Sequence, residues 1–171
     1  MINPHPNHFR ILALAPSTRG VGFAVLEGKD SLVDWGVKSV KGDKNSQSLL
    51  KIEALIAAYQ PGALVFQDFA HKDSRRSARI RTLGRQVVEV AAKLKVSVTL
   101  FSNEQVRQVF FEDGQGTKHA IAEVLAQRFP EELGFQLPPK RKLWESEDHQ
   151  MAVFDAVALV LVYVCRRQSK L

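Results

Sequence analysis

The sequence predicts a mixed α/β domain. Three observations carry that reading. The segment Arg10 to Leu26, RILALAPSTRGVGFAVL, is two apolar runs joined by a short Pro-Ser-Thr-Arg-Gly connection, the pattern of two β-strands. Later short apolar runs alternate with stretches whose apolar residues recur at helical spacing. The chain has 171 residues, 45% apolar and 25% charged, enough for one well-buried core and too few for two ordinary domains.

The elements follow in order. After the first hairpin, Ser31 to Val40 (SLVDWGVKSV) reads as a third strand, so three antiparallel strands come first. Lys41 to Asn45 is a polar turn, and Ser46 is the expected N-cap of a helix carrying Leu49, Leu50, Ile52, Leu55 and Ile56. Gln60-Pro61-Gly62 stops it. Ala63 to Phe66 is a run of buried-strand type. Ser74 is the expected cap of a long helix through Arg76, Ile80, Leu83, Val87, Val90 and Leu94. Val96 to Phe101 is a further strand and Ser102 to Val109 a helix. Thr117 to Phe129 is helical, Pro130 to Trp144 is a loop, and Ser146 caps a last apolar helix reaching about Arg167. The whole of 1–171 reads as one domain, with residues 1–9 a flexible N-terminal segment.

Composition narrows the function. One cysteine, Cys165, excludes an internal disulfide and suits a reducing, cytoplasmic compartment. The opening MINPHPNHFR has no signal-peptide apolar region. The longest apolar run, Met151 to Cys165, is interrupted by Asp155 and falls short of the roughly 20 residues needed to span a bilayer. A net charge of +6 favours a polyanionic partner. A Gly-rich phosphate loop and a Cys/His zinc pattern are both absent.

The first hairpin, the order β-β-β-α-β-α-β-α-α and the segment Asp155-Ala156-Val157-Ala158 in the last helix together resemble the RuvC-type Holliday junction resolvases of the ribonuclease H-like superfamily. The resemblance runs from Arg10 to about Tyr163. It implies a mixed five-stranded sheet, three antiparallel strands then two parallel ones, with helices on both faces. It also implies a homodimer acting on four-way DNA junctions of recombination by magnesium-dependent phosphodiester hydrolysis. In such chemistry one divalent metal activates a water and a second, about 4 Å away, stabilises the leaving oxygen. Magnesium demands oxygen ligands.

The resemblance implies carboxylates from the first strand, the fourth strand and the last helix. Here the first position is Ala15. The second falls in Val65-Phe66-Gln67-Asp68-Phe69, with Gln67 the equivalent of the family glutamate, or Phe66 if the match shifts by one residue. The third, Asp155, is retained, with Ala152 where the family often has a second acid. Metal binding is therefore expected to be weak and cleavage slow or absent. Two origins give the same chain, a natural lineage that lost metal binding and a deliberately inactivated form, since Asp→Ala and Glu→Gln are the usual substitutions for that purpose.

Each residue has a plainer reading. Ala15 is also an ordinary core residue and Gln67 an ordinary strand-end amide. Asp68, which strand alternation points away from Gln67, reads equally as a loop or cap residue. Asp148, with Glu147, suits the dipole at the start of the last helix, some 10.5 Å along it from Asp155. Asp155 lies among apolar neighbours, and a buried unpaired carboxylate is costly, so a partner or a solvent-lined cleft is expected there. An active nuclease using Asp68, Asp148 and Asp155 is the alternative, as is a non-catalytic regulatory or assembly module.

Cations cluster from His71 to Arg81. Lys72, Arg75, Arg76 and Arg79 surround the start of the long helix, where they suit DNA phosphates or form a solvated face. The resemblance places Phe69 where the family has an aromatic that stacks at the junction; a core aromatic is the plainer reading. Lys140, Arg141 and Lys142 form a second basic set, and Lys118 offers one more phosphate contact. The long-helix face bearing Ile80, Leu83, Val87 and Val90 is a candidate dimer interface, or core.

Overall fold

The computed structural model describes residues 9–69 and 77–169. Strands β1 (Arg10–Pro16), β2 (Gly20–Glu27) and β3 (Ser31–Ser39) come first, followed by α1 (Lys44–Tyr59), β4 (Ala63–Gln67), α2 (Ala78–Lys93) and β5 (Ser97–Phe101). Helices α3 (Asn103–Phe110), α4 (Lys118–Arg128), α5 (Pro130–Leu133) and α6 (Met151–Gln168) complete the described chain. The sheet order is β3-β2-β1-β4-β5. β1 pairs antiparallel with β2, and β2 with β3, while β1–β4 and β4–β5 are parallel. This is the mixed five-stranded sheet expected from the sequence.

Alternation along β1 divides the core. Ile11, Ala13 and Ala15 join the cluster built with α4, α5 and α6, whereas Leu12 and Leu14 join the one built with α1 and α2. The two sides differ in size of residue. Ala13, Ala15, Gly22 and Ala24 face α6, and a Cβ added at Gly22 would collide with the backbone of Ala152. Small residues thus let α6 lie directly against β1 and β2. The helix is apolar on nearly every side because strands and helices surround it, with Ala152, Val153, Phe154 and Ala156 to Val162 all buried. On the other face Ile52, Leu55, Ile56, Ile80, Leu83 and Val87 cover the sheet.

Several sequence expectations need correction. Asp43, not Ser46, caps α1, its carboxylate accepting the Ser46 N–H at 3.3 Å and the Ser46 hydroxyl at 2.9 Å. Leu50 on that helix is exposed. The cap of α2 is Ser77, which accepts the Ile80 N–H at 3.4 Å; Ser74 lies outside the described residues. Pro130 to Leu133 forms a helical turn inside the expected loop. α6 begins at Met151, so Ser146 is not its cap, and Asp148 stands before the helix in a turn where its carboxylate accepts the Gln150 N–H at 2.8 Å. Phe9 is anchored, its carbonyl accepting from Gly28 and its ring lying 4.5 Å from the Arg167 guanidinium. Ile80, Leu83 and Val87 are buried against the sheet, which removes them from a dimer interface.

Candidate functional site

Ala15 is the penultimate residue of β1 and Gln67 the last of β4. Parallel pairing carries both strands to the same end of the sheet, where Leu14 registers with Phe66. Asp155, in the second turn of α6, meets them there because α6 lies so close on the sheet. Together with Asn103, Arg107 and Lys118 they line a cavity of about 100 Å³. Phe66 is buried in the opposite cluster, so Gln67, not Phe66, is the β4 residue at the cavity.

Several polar groups of this cavity pair with one another. Gln67 Nε2 donates to Asn103 Oδ1 at 2.8 Å. Asn103 is placed by the capping box at Ser102, whose hydroxyl accepts the Gln105 N–H while the Gln105 side chain accepts the Ser102 N–H. Lys118 opens α4 after its Thr117 cap, and its ammonium lies 3.2 Å from Asp155 Oδ2 and 3.0 Å from Glu147 Oε1. Asp155 thereby gains the partner its apolar surroundings require. These groups are partly open to water, so each pair stabilises the fold by only about 1 kcal/mol or less.

The other anticipated site residues lie elsewhere. Asp68 lines a separate groove with Arg81 and Arg85, and Asp148 a third cavity beside Pro138 and Lys140, so Asp68, Asp148 and Asp155 do not converge. Arg79 is half-buried and tied to the fold: its guanidinium donates to Asn45 Oδ1 at 3.2 Å and to the Ser17 carbonyl at 3.3 Å. Two of its donors are thus committed within the fold, away from the role in phosphate binding that the sequence suggests. Phe69 is 4% exposed and packs edge-on against Phe66, centroids 5.2 Å apart, so its ring is core and not a stacking surface. Lys118 is exposed, and its ammonium is shared between the carboxylates of Glu147 and Asp155. Lys140, Arg141 and Lys142 are exposed. Lys72, Arg75 and Arg76 lie outside the described residues.

A two-metal centre does not fit the described residues. The cavity offers the Asp155 carboxylate and the neutral amides of Gln67 and Asn103, and Ala15 contributes no donor. Among the described residues no group of three or more His, Cys, Asp or Glu side chains could hold a metal ion. A cationic group, the Lys118 ammonium, already stands against Asp155.

Sequence reasoning missed Asn103, Arg107 and Glu147. The first two carry a usable signal: β5 runs parallel to β4 and pairs Phe101 with Gln67, so the residue opening the next helix, and the one four positions on, reach the same end of the sheet. Glu147 arrives on an irregular loop and carries no such signal.

No family model matches the sequence, and no curated protein matches it. Solved structures do match the fold. The chain is similar to T. thermophilus RuvC in complex with a Holliday junction substrate, with a TM-score of 0.67, 17% identity, and coverage of 95% of this chain and 97% of that one. It is similar to a second Thermus thermophilus RuvC structure, with a TM-score of 0.65, 18% identity, and coverage of 94% and 97%. The yeast mitochondrial Holliday junction resolvase Ydc2 gives a TM-score of 0.64 at 11% identity, covering 98% of this chain and 82% of that one. The fold is RuvC-like, of the ribonuclease H-like class.

Proposed function

We propose that this chain binds branched DNA, a four-way junction above all, and that it recognises the junction without cutting it. One observation carries the reading. Ala15, Gln67 and Asp155 line one cavity at the end of a RuvC-like sheet, leaving a single carboxylate among the three positions, and the Lys118 ammonium stands 3.2 Å from it. The net charge of +6 supports a polyanionic partner, as does a solved structure of similar fold that contains a Holliday junction.

Lys140, Arg141 and Lys142 contact phosphates in this reading, and Arg107 reaches a strand that enters the cavity. Lys72, Arg75 and Arg76, in the segment that follows β4 in the chain, add charge, a role read from sequence alone. Such contacts are blind to base sequence. Magnesium, the cofactor of the family chemistry, binds weakly here because one carboxylate and two amides are a poor ligand set. The protein works as a homodimer; Val88 and Leu100, exposed along the groove between α2 and β5, suit that contact. Among the described residues no helix is long and apolar enough to cross a membrane, in keeping with action on DNA in the cytoplasm.

The test incubates the protein with a labelled four-way junction and with a linear duplex of equal length, in magnesium, over a salt series. Tighter binding of the junction, a steep linear loss of log affinity with log salt, and intact strands are expected. Replacing Lys140, Arg141 and Lys142 by alanine together reduces that slope by roughly 3 if each neutralises one phosphate. Absence of salt-sensitive binding overturns the DNA reading, and strand scission overturns the non-cutting one.

A further inference from the structure

We infer that Trp144 is a nucleobase-stacking residue, which takes an unpaired base of the branched DNA on the turn beside the candidate cavity. The inference rests on the DNA-binding reading above and adds a site to it.

Residues 142–145 form a tight turn closed from both directions. The Glu145 N–H donates to the Lys142 carbonyl at 3.0 Å, and the Lys142 N–H donates to Glu145 Oε2 at 3.0 Å. Turn centres ordinarily hold Gly, Asn, Asp, Pro or Ser, which supply the required backbone angles and tolerate water. Here the two central residues are Leu143 and Trp144, exposed to 101% and 80%. Large apolar side chains fixed at a turn tip do nothing for the core. They are displayed for an external partner.

The surroundings select the partner's chemistry. Lys140, Arg141 and Lys142 lead directly into the turn, and the Lys142 ammonium lies 5.5 Å from the centroid of the Trp144 ring. Protein interfaces are depleted in lysine at their centres, whereas a cationic track with an aromatic platform is how proteins hold unpaired nucleic acid. Phosphates satisfy the cations and a base covers the indole face.

Continuity with the candidate site supplies a third reason. Pro138 to Arg141 and Glu145 to Asp148 line a cavity of about 560 Å³ together with Thr117, Lys118 and His119. Lys118 belongs to both this cavity and the one at Asp155. A strand lying on the turn therefore runs on toward Lys118. Phe69 is buried, so it does not compete for the stacking role.

The chain has two tryptophans, Trp35 and Trp144. Trp35→Phe leaves Trp144 as the sole indole reporter. This variant is titrated with a four-way junction bearing unpaired thymines at its crossover, and with a fully paired duplex of equal length. Anisotropy of the labelled DNA reports binding in parallel. Quenching of Trp144 emission by the junction and not by the duplex is expected. In the otherwise unaltered protein, Trp144→Ala weakens junction binding about tenfold and leaves duplex binding as it was, with Trp144→Phe between the two. Binding by anisotropy with unchanged emission and an unaffected Trp144→Ala variant overturns the inference while leaving the DNA-binding reading intact. Emission that shifts with protein concentration before any DNA is added assigns the ring to a second copy of the chain and also overturns it. No salt-sensitive binding of either DNA overturns both readings.

Discussion

Lys118 and Asp155 face each other at 3.2 Å across the cavity at the ends of β1 and β4. The two residues, on α4 and α6, are 37 positions apart in the chain, and Glu147 also meets the lysine, at 3.0 Å. The ammonium stands beside Gln67 and Ala15, at the end of the sheet that the cavity occupies. The cost of holding a carboxylate among Phe154, Ala156 and Ala158 is thereby offset without a metal.

Replacing that cation tests the arrangement. Lys118→Met is expected to lower stability by about 1 kcal/mol or less, because the ion pairs are partly exposed. It also leaves Asp155 and Glu147 facing each other without the ammonium between them. Chemical unfolding in the variant should therefore respond to millimolar magnesium more than in the parent chain. An equal response in both proteins counts against the lysine's role as counter-charge.

The close seat of α6 on the sheet gives a second prediction. Gly22→Ala places a methyl group against the Ala152 backbone, which has no side-chain freedom with which to yield. A loss of about 1–3 kcal/mol is expected from urea unfolding, with junction affinity falling as α6 and Asp155 shift. A neutral substitution would mean that α6 is less tightly seated.

Much of this was legible in the chain, and for physical reasons. Strand alternation assigns Ala15 and Leu14 to opposite faces, and the resemblance to the resolvases puts Ala15 on the first strand and Gln67, or Phe66 one residue earlier, on the fourth, so these candidates could be named from the chain. The surroundings of Arg79 could not. Its sequence neighbours mark it as one of a cationic run, while its actual partners, Asn45 and the Ser17 carbonyl, lie 34 and 62 positions away. Phe69 stays open between its two readings for the same reason, since an aromatic after a strand looks alike whether it packs on Phe66 or faces solvent. The caps at Asp43 and Ser77 show a smaller ambiguity: each helix start offers two capping residues three positions apart, and tertiary packing chooses between them.

Tyr59 provides a pH-dependent test away from the cavity. Its hydroxyl donates to the Asp34 carboxylate, tying the end of α1 to β3, and that bond raises its pKa above the ordinary 10.0, with burial and the Asp34 charge acting in the same direction and Arg10 opposing. A phenol whose folded pKa is raised contributes its stability in full below the unfolded value and loses it as pH climbs through the folded one. Tyr59→Phe should therefore cost about 1 kcal/mol at neutral pH. The difference from the parent chain should shrink above pH 10, as followed by urea unfolding at each pH. A difference that is constant across the alkaline range would contradict the assignment.

The most direct measurement restores the acids that the frame lacks, Ala15→Asp together with Gln67→Glu, and asks whether a labelled four-way junction is cut. Cooperative unfolding verifies that the variant is folded, and anisotropy verifies that it binds the junction as the parent chain does. The predicted result is strand scission that depends on magnesium and disappears when Asp155→Asn is added. A folded variant that binds the junction with the parent's affinity, yet leaves every strand whole at any magnesium concentration, would contradict the account.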